Sequence, residues 1–254
     1  MNIAVIWFPG TNCEEETKRA VEAAGMTATI VRWNDHAELS TYDGYVIPGG
    51  WSYEDRIRAG AIAAHDTIMK IIRKEAAAGK PVLGICNGCQ VLAEAGMVPD
   101  YGIEPVEIAL APNENPFVSG YYCTHAYVKV KKKTAFTMLY EQNYVFKIPV
   151  AHGEGRFTTA NEKVKLRLRE NCVLAYCTKE GDEKGEFPTN PNGALFNMAG
   201  ISNNGGNVVA LMPHPERCAW EHQAGSMANA DGKTPGILVF QSMKRYIEHG
   251  RTIR

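Results

Sequence analysis

The sequence has no long hydrophobic run, no internal repeat, no low-complexity stretch and no dense cluster of positive charge beyond a short lysine run. Each absence removes a class of function. Without about twenty consecutive apolar residues no membrane-spanning helix is expected, and Asn2–Phe8, apolar but short and lacking a basic leader, does not read as a signal segment. A net charge of -1 and an isoelectric point near 6.7 supply no field that would favour nucleic acid or an anionic membrane surface. The cluster Lys129-Val-Lys131-Lys132-Lys133 reads as a solvated strand end or turn, with docking to an acidic partner or nucleotide as the alternative.

Cysteine is present but not in the pattern of a disulfide framework. The chain has seven, an odd number, scattered over 254 residues, which predicts a reducing, cytoplasmic setting. No second close pair accompanies Cys86 and Cys89, so no structural zinc site is expected. The glycines of Pro48-Gly49-Gly50 lack the spacing of a dinucleotide or phosphate-binding loop.

At 45% hydrophobic content the chain can bury a large core, and residues 1–254 read as a single α/β domain. Asn2–Phe8, Thr27–Trp33 and Gly44–Ile47 are predicted strands, and a fourth ends at Cys86; between them lie helical segments at Cys13–Ala24 and Ile57–Ala78. This alternation predicts a mostly parallel, doubly wound sheet flanked by helices, with its site beyond the C-terminal strand ends, where Gly50 and Cys86 fall. The second half adds antiparallel strands: Tyr121–Val130, Tyr144–Pro149, Val164–Arg169 and Cys172–Cys177 have strand composition. Ala199–Ser202 and Val208–Met212, joined by Asn203-Asn-Gly-Gly-Asn207, predict a hairpin, and Ile237–His249 a closing amphipathic helix. The charged, Gly- and Pro-containing Glu180–Asn192 reads as a surface excursion rather than a linker.

Two segments carry the chemistry. In Pro81-Val-Leu-Gly-Ile-Cys86-Asn-Gly88-Cys89-Gln90 an apolar strand runs into a cysteine bracketed by Gly84 and Gly88, the pattern of a nucleophile elbow. The helix that follows favours thiolate and offers N–H groups to an oxyanion. Two other readings of this segment stand beside it: a Cys86/Cys89 redox pair, and a cysteine that is merely small and buried. Far downstream, Met212-Pro213-His214-Pro215-Glu216-Arg217 ends another apolar strand, with prolines stiffening the exit of an imidazole and a carboxylate. Cys86, His214 and Glu216 are the three groups that a thiol nucleophile, its base and the base's orienting acid require.

Together these segments resemble the class I, triad-type glutamine amidotransferases, whose flavodoxin-like sheet the resemblance implies. Pro9-Gly-Thr-Asn-Cys13, Val46-Ile-Pro-Gly-Gly50-Trp-Ser-Tyr53, Arg58-Ala-Gly-Ala-Ile-Ala63, Pro149-Val-Ala-His152-Gly-Glu154-Gly-Arg156, Asn190-Pro-Asn-Gly193 and Ala199-Gly-Ile-Ser-Asn203 are more specifically similar to the glutaminase subunits of phosphoribosylformylglycinamidine synthase. The resemblance implies backbone oxyanion donors at Gly50 and Asn87 and a substrate-binding role for Gln90. For His152 and Glu154 a structural loop role and a place at the rim of the glutamine pocket stand equally open. It further implies a partner, a large formylglycinamide ribonucleotide synthetase subunit, joined in some members by a small third subunit. No cofactor is implied in this chain; ATP and Mg belong to the partner. Trp51, Glu54 and Cys89 depart from that family's usual phenylalanine, glycine and aromatic residue.

Overall fold

The computed structural model describes residues 1–117, 120–224 and 234–253. β1 (Asn2–Trp7), α1 (Glu14–Ala23), β2 (Thr27–Arg32), β3 (Gly44–Ile47), α2 (Ala61–Ala64), α3 (Thr67–Ala77), β4 (Val82–Ile85) and α4 (Asn87–Glu94) form the first half. The second comprises β5 (Ala109–Ala111), β6 (Tyr122–Val130), β7 (Val145–His152), β8 (Arg156–Thr158), α5 (Glu162–Arg167), β9 (Cys172–Cys177), β10 (Met198–Ser202), β11 (Val208–Leu211), α6 (Glu221–Ala224) and α7 (Pro235–Glu248).

Among the described residues one nine-stranded sheet runs β2-β1-β3-β4-β11-β10-β9-β6-β7. The β2, β1, β3, β4 and β11 ladder is parallel, the strand order of flavodoxin-like sheets. Its central strands β3 and β4 are buried at every position. That accounts for their continuous Val/Ile/Leu character, since helices cover both faces of a parallel sheet. From β10 onward pairing is antiparallel, and β7 alternates half-buried and buried residues, as a sheet with one covered face requires. The hairpin of β10 and β11 forms as its turn residues predict.

Two predicted elements are corrected. Ile57–Ala78 is not one helix. Gly60 takes a left-handed φ of 78° and packs its Cα against the backbone of Gln90 and Val91, where any side chain would collide. Asp66 then breaks the run by capping α3, its carboxylate accepting from Ile68 N–H at 3.3 Å and from Tyr53 Oη at 2.9 Å. Val164–Arg169 is not a strand. Asn161 caps α5 by accepting from the N–H groups of Lys163 (2.9 Å) and Val164 (3.3 Å). Val164 and Leu168, four apart, are both buried, while Leu166 between them is 79% exposed, so the apparent period of two was a helical i, i+4 pair.

The lysine cluster is engaged within the chain. Lys129 and Lys131 both pair with Glu183, Lys132 donates to Asn171, and Lys133 to the carbonyls of Met138 and Tyr140. The two pairs with Glu183 pin the start of the Glu180–Asn192 excursion. Its end is held by Asn190, whose Oδ1 accepts from Gly193 and Ala194 N–H. No helix among the described residues is long and apolar enough to cross a membrane.

Candidate active site

Four parallel strands end under one cavity of about 390 Å³, and the segment after each contributes to its wall: Asn12 and Cys13 after β1, Gly50 and Trp51 after β3, Cys86 after β4, His214 after β11. The antiparallel half closes it from the side with His152, Gly153 and Glu154 at the end of β7. The volume suits a single amino acid.

Cys86 sits at φ 51°, ψ -105°, a strained conformation between β4 and α4. Glycine makes the turn possible. A side chain on Gly84 would collide with the backbone of Gly88 and with Leu92 Cδ1, and one on Gly88 would run into the carbonyl of Ile47 on β3. Cys86 is thus lifted by close contact of strand, helix and neighbouring strand. Its Sγ donates to the carbonyl of Ala151 on β7 at 3.4 Å.

His214 leaves β11 with its N–H bonded to Pro149 O at 2.9 Å, which ties the strand end to β7. Its Nδ1 lies 2.6 Å from Glu216 Oε1, and both side chains are buried. Burial opposes charge on His214, but Glu216, then the thiols of Cys86 and Cys13, more than offset it and hold its pKa well above the ordinary imidazole range. Nε2 makes no hydrogen bond. The three groups converge on Gly49: a methyl there would stand 3.0 Å from His214 Cε1, 3.3 Å from Cys13 Sγ and 3.4 Å from Cys86 Cβ.

Gly50 lines the cavity at φ 148°, and a side chain would meet Gly10 O at 2.6 Å and Thr11 Cα at 2.7 Å. Asn87 opens α4, so its N–H has no acceptor within the helix. Its side chain is turned to bracing: Oδ1 accepts from Ser52 N–H at 3.0 Å, and Nδ2 donates to Asp55 (3.0 Å) and Gln90 (2.9 Å). Gln90 lines the cavity and donates to Glu154 O at 2.7 Å, fixing the loop after β7.

Several cavity residues had no role assigned from sequence. Cys13 accepts from Arg217 Nη2 at 3.3 Å, and Arg217 also reaches Glu16 at 3.4 Å. Asp55 has its pKa pushed up to about 6, by burial first and then by the charge of Glu154. Tyr121 packs on Trp51 with ring centroids 5.9 Å apart, both about half-exposed at the cavity mouth. Cys13 and Arg217 lie inside the motifs that signalled the family; nothing in their spacing marked them as site residues.

The three departures fall in different places. Trp51 is on the rim, Glu54 is exposed and paired with Arg56 at 2.7 Å, and Cys89 is fully buried beneath the elbow. Cys86 and Cys89 are both free thiols, and burial holds the Cys89 pKa well above that of an ordinary thiol, which makes it a poor partner for exchange. Cys13, His214 and Glu216 do bring three donor atoms within 4.8 Å. His214 and Glu216 already satisfy each other, however, and the Arg217 cation occupies the Cys13 sulfur, an arrangement that disfavours a metal ion.

Residues 1–247 match the family model described as a CobB/CobQ-like glutamine amidotransferase domain. The chain is 45% identical to the phosphoribosylformylglycinamidine synthase subunit PurQ of Methanothrix thermoacetophila, over 99% of this chain and all of the relative. It is 41% identical to the PurQ subunit of Pyrococcus furiosus, over 97% and 99%. Among solved structures it superposes on a chain of PurLQS from Thermotoga maritima with a TM-score of 0.76 and 33% identity, covering 97% of this chain and 98% of the other.

Proposed function

We propose, for a chain that belongs to the CobB/CobQ-like glutamine amidotransferase family and within it to the glutaminase subunits of phosphoribosylformylglycinamidine synthase, that it hydrolyses glutamine at Cys86 and delivers ammonia to a synthetase partner. The observation that carries the catalytic assignment is the meeting of Cys86, on its strained turn, and His214 around Gly49 at one cavity, with His214 held from behind by the buried Glu216.

His214 Nε2 takes the Cys86 proton, and the thiolate attacks the side-chain amide carbon (Cδ) of glutamine. The N–H groups of Gly50 and Asn87 receive the oxyanion, each contributing about 3–4 kcal/mol of barrier reduction. On collapse, the Nε2 proton passes to the departing nitrogen, which leaves as ammonia, and Cys86 holds a γ-glutamyl thioester. His214 then deprotonates a water, whose attack releases glutamate and restores Cys86. Glu216 holds the imidazole tautomer throughout and balances its charge. Gln90 keeps the Glu154 loop against the substrate.

Ammonia freed into water becomes ammonium and is lost as a nucleophile, so the product is useful only when handed to a docked enzyme. The partner is a large formylglycinamide ribonucleotide synthetase subunit that makes formylglycinamidine ribonucleotide in purine biosynthesis, joined in some members of the family by a small third subunit. ATP and Mg act there. Relatives named as synthase subunits and the PurLQS assembly support this reading, as does the exposed Trp51–Tyr121 pair at the cavity mouth. Seven free thiols fit a cytoplasmic setting.

Glutamate release measured with and without the synthetase tests the assignment. Slow release alone, strong acceleration in the complex and none from Cys86→Ser are expected. High turnover that ignores the partner contradicts the coupling, and turnover by Cys86→Ser contradicts the nucleophile.

A further inference from the structure

We propose that His152 is the first acceptor for the ammonia released at Cys86: its Nε2 lone pair binds uncharged ammonia through an N–H without returning a proton to it. The inference rests on the glutaminase reading above.

Asn113 decides the tautomer. Its Nδ2 donates to His152 O at 2.6 Å and to Gly120 O at 3.2 Å, which leaves Oδ1 as the acceptor end. Oδ1 accepts from Gly155 N–H at 3.1 Å and lies 3.0 Å from His152 Nδ1, so Nδ1 carries the hydrogen. Nε2, on the opposite edge of the ring, is therefore a bare acceptor. It is buried and has no partner. A buried lone pair left unpaired is unfavourable, and one carried by a residue that lines the substrate cavity is complementary to a donor that arrives during turnover.

The position matches the reaction. The carbonyl of Ala151, one residue before His152, accepts from Cys86 Sγ at 3.4 Å, so β7 brings the Ala151–His152 peptide beside the nucleophile, and both Cys86 and His152 line the same cavity. The ring is held in place: a side chain on Gly155 would occupy it, and Asn192 Nδ2 secures Gly155 O at 2.8 Å.

The chemistry also matches. Burial, and then the positive charge of His214, lower the His152 pKa to about 3, so the ring stays neutral and its one hydrogen is committed to Asn113. The cavity thus contains two imidazoles of opposite disposition. His214 carries the proton that the leaving nitrogen needs, while His152 has none to give and leaves ammonia in its nucleophilic form.

The full-length chain with ¹⁵N-labelled histidine provides the first test. The His152 Nε2 resonance should stay unprotonated through neutral pH and shift saturably when ammonia is added at alkaline pH, where it is uncharged; an unmoved resonance overturns the proposal. The second test uses the complex with the synthetase and reads glutamate released per amidated product. His152→Phe should raise this ratio about two- to tenfold, the scale of one lost hydrogen bond, and His152→Gln, which restores an acceptor, should raise it less. An unchanged ratio in His152→Phe also overturns it. If the wild-type complex forms no thioester at Cys86, the glutaminase reading fails instead, and the resonance still decides whether ammonia binds at His152.

Discussion

His214 Nδ1 and Glu216 Oε1 face each other at 2.6 Å with both side chains shut away from solvent. Such a contact stabilises the imidazolium and leaves Nε2 as the only ring nitrogen able to exchange a proton in the cavity. Glu216→Gln keeps the shape and removes the charge. It should lower kcat for glutamine hydrolysis by about 100-fold or more with little change in KM, as steady-state kinetics would register.

The same pair predicts a pH dependence of stability. The folded pKa of His214 is raised above its unfolded value, so this contribution is fully present below about pH 6.5 and is lost as pH rises through the folded pKa. Denaturant melts of Glu216→Gln should lack that component: the difference from wild type should be largest near pH 6 and shrink under alkaline conditions.

Asp55 lines the cavity with a pKa near 6, and as a carboxylate it would attract the ammonium group of glutamine bound there. Protonation removes that attraction. KM for glutamine should climb as pH falls through about 6 and be flat above it. In Asp55→Asn, KM should be high and nearly independent of pH over that range.

Gly49 leaves a gap between Cys86, Cys13 and His214 that a methyl fills only by pressing on all three, at 3.0 to 3.4 Å. Gly49→Ala should therefore reduce the rate of Cys86 alkylation and the rate of glutamine hydrolysis together. Because neighbours need move only a few tenths of an ångström, the cost in stability should stay below about 1.5 kcal/mol, read from chemical unfolding.

Cys89 is packed under the elbow, away from solvent. Cys89→Ala should leave the sensitivity of glutamine hydrolysis to peroxide unchanged, because oxidation would act on Cys86 without a resolving partner there. A variant resistant to peroxide would restore the redox pairing of the two thiols.

Much of this site is legible in the sequence because its chemistry lies at strand ends. Apolar runs stopping at Cys86 and at His214 declared both the parallel core and the two groups that leave it. The gaps arose where local sequence is ambiguous. Val164, Leu166 and Leu168 alternate in a way compatible with strand or helix, and only burial distinguishes the two. Ile57–Ala78 has helical composition throughout, yet Asp66 gains more as a cap than as a helical residue, and Gly60 answers to α4 rather than to its own neighbours. Cys13, Arg217 and Asp55 were invisible as site residues because their roles depend on three loops meeting in space. His152 was legible only as a motif member; its orphaned nitrogen exists because of Asn113, thirty-nine residues earlier in the chain.

The most direct measurement is mass spectrometry of the chain treated with a glutamine-analogue electrophile, with and without the formylglycinamide ribonucleotide synthetase subunit. Adduct confined to Cys86, absent from Cys13 and Cys89, and formed faster with the partner is the expected result. Labelling elsewhere, or none in either condition, would contradict the account of Cys86 as the nucleophile of a partner-coupled glutaminase.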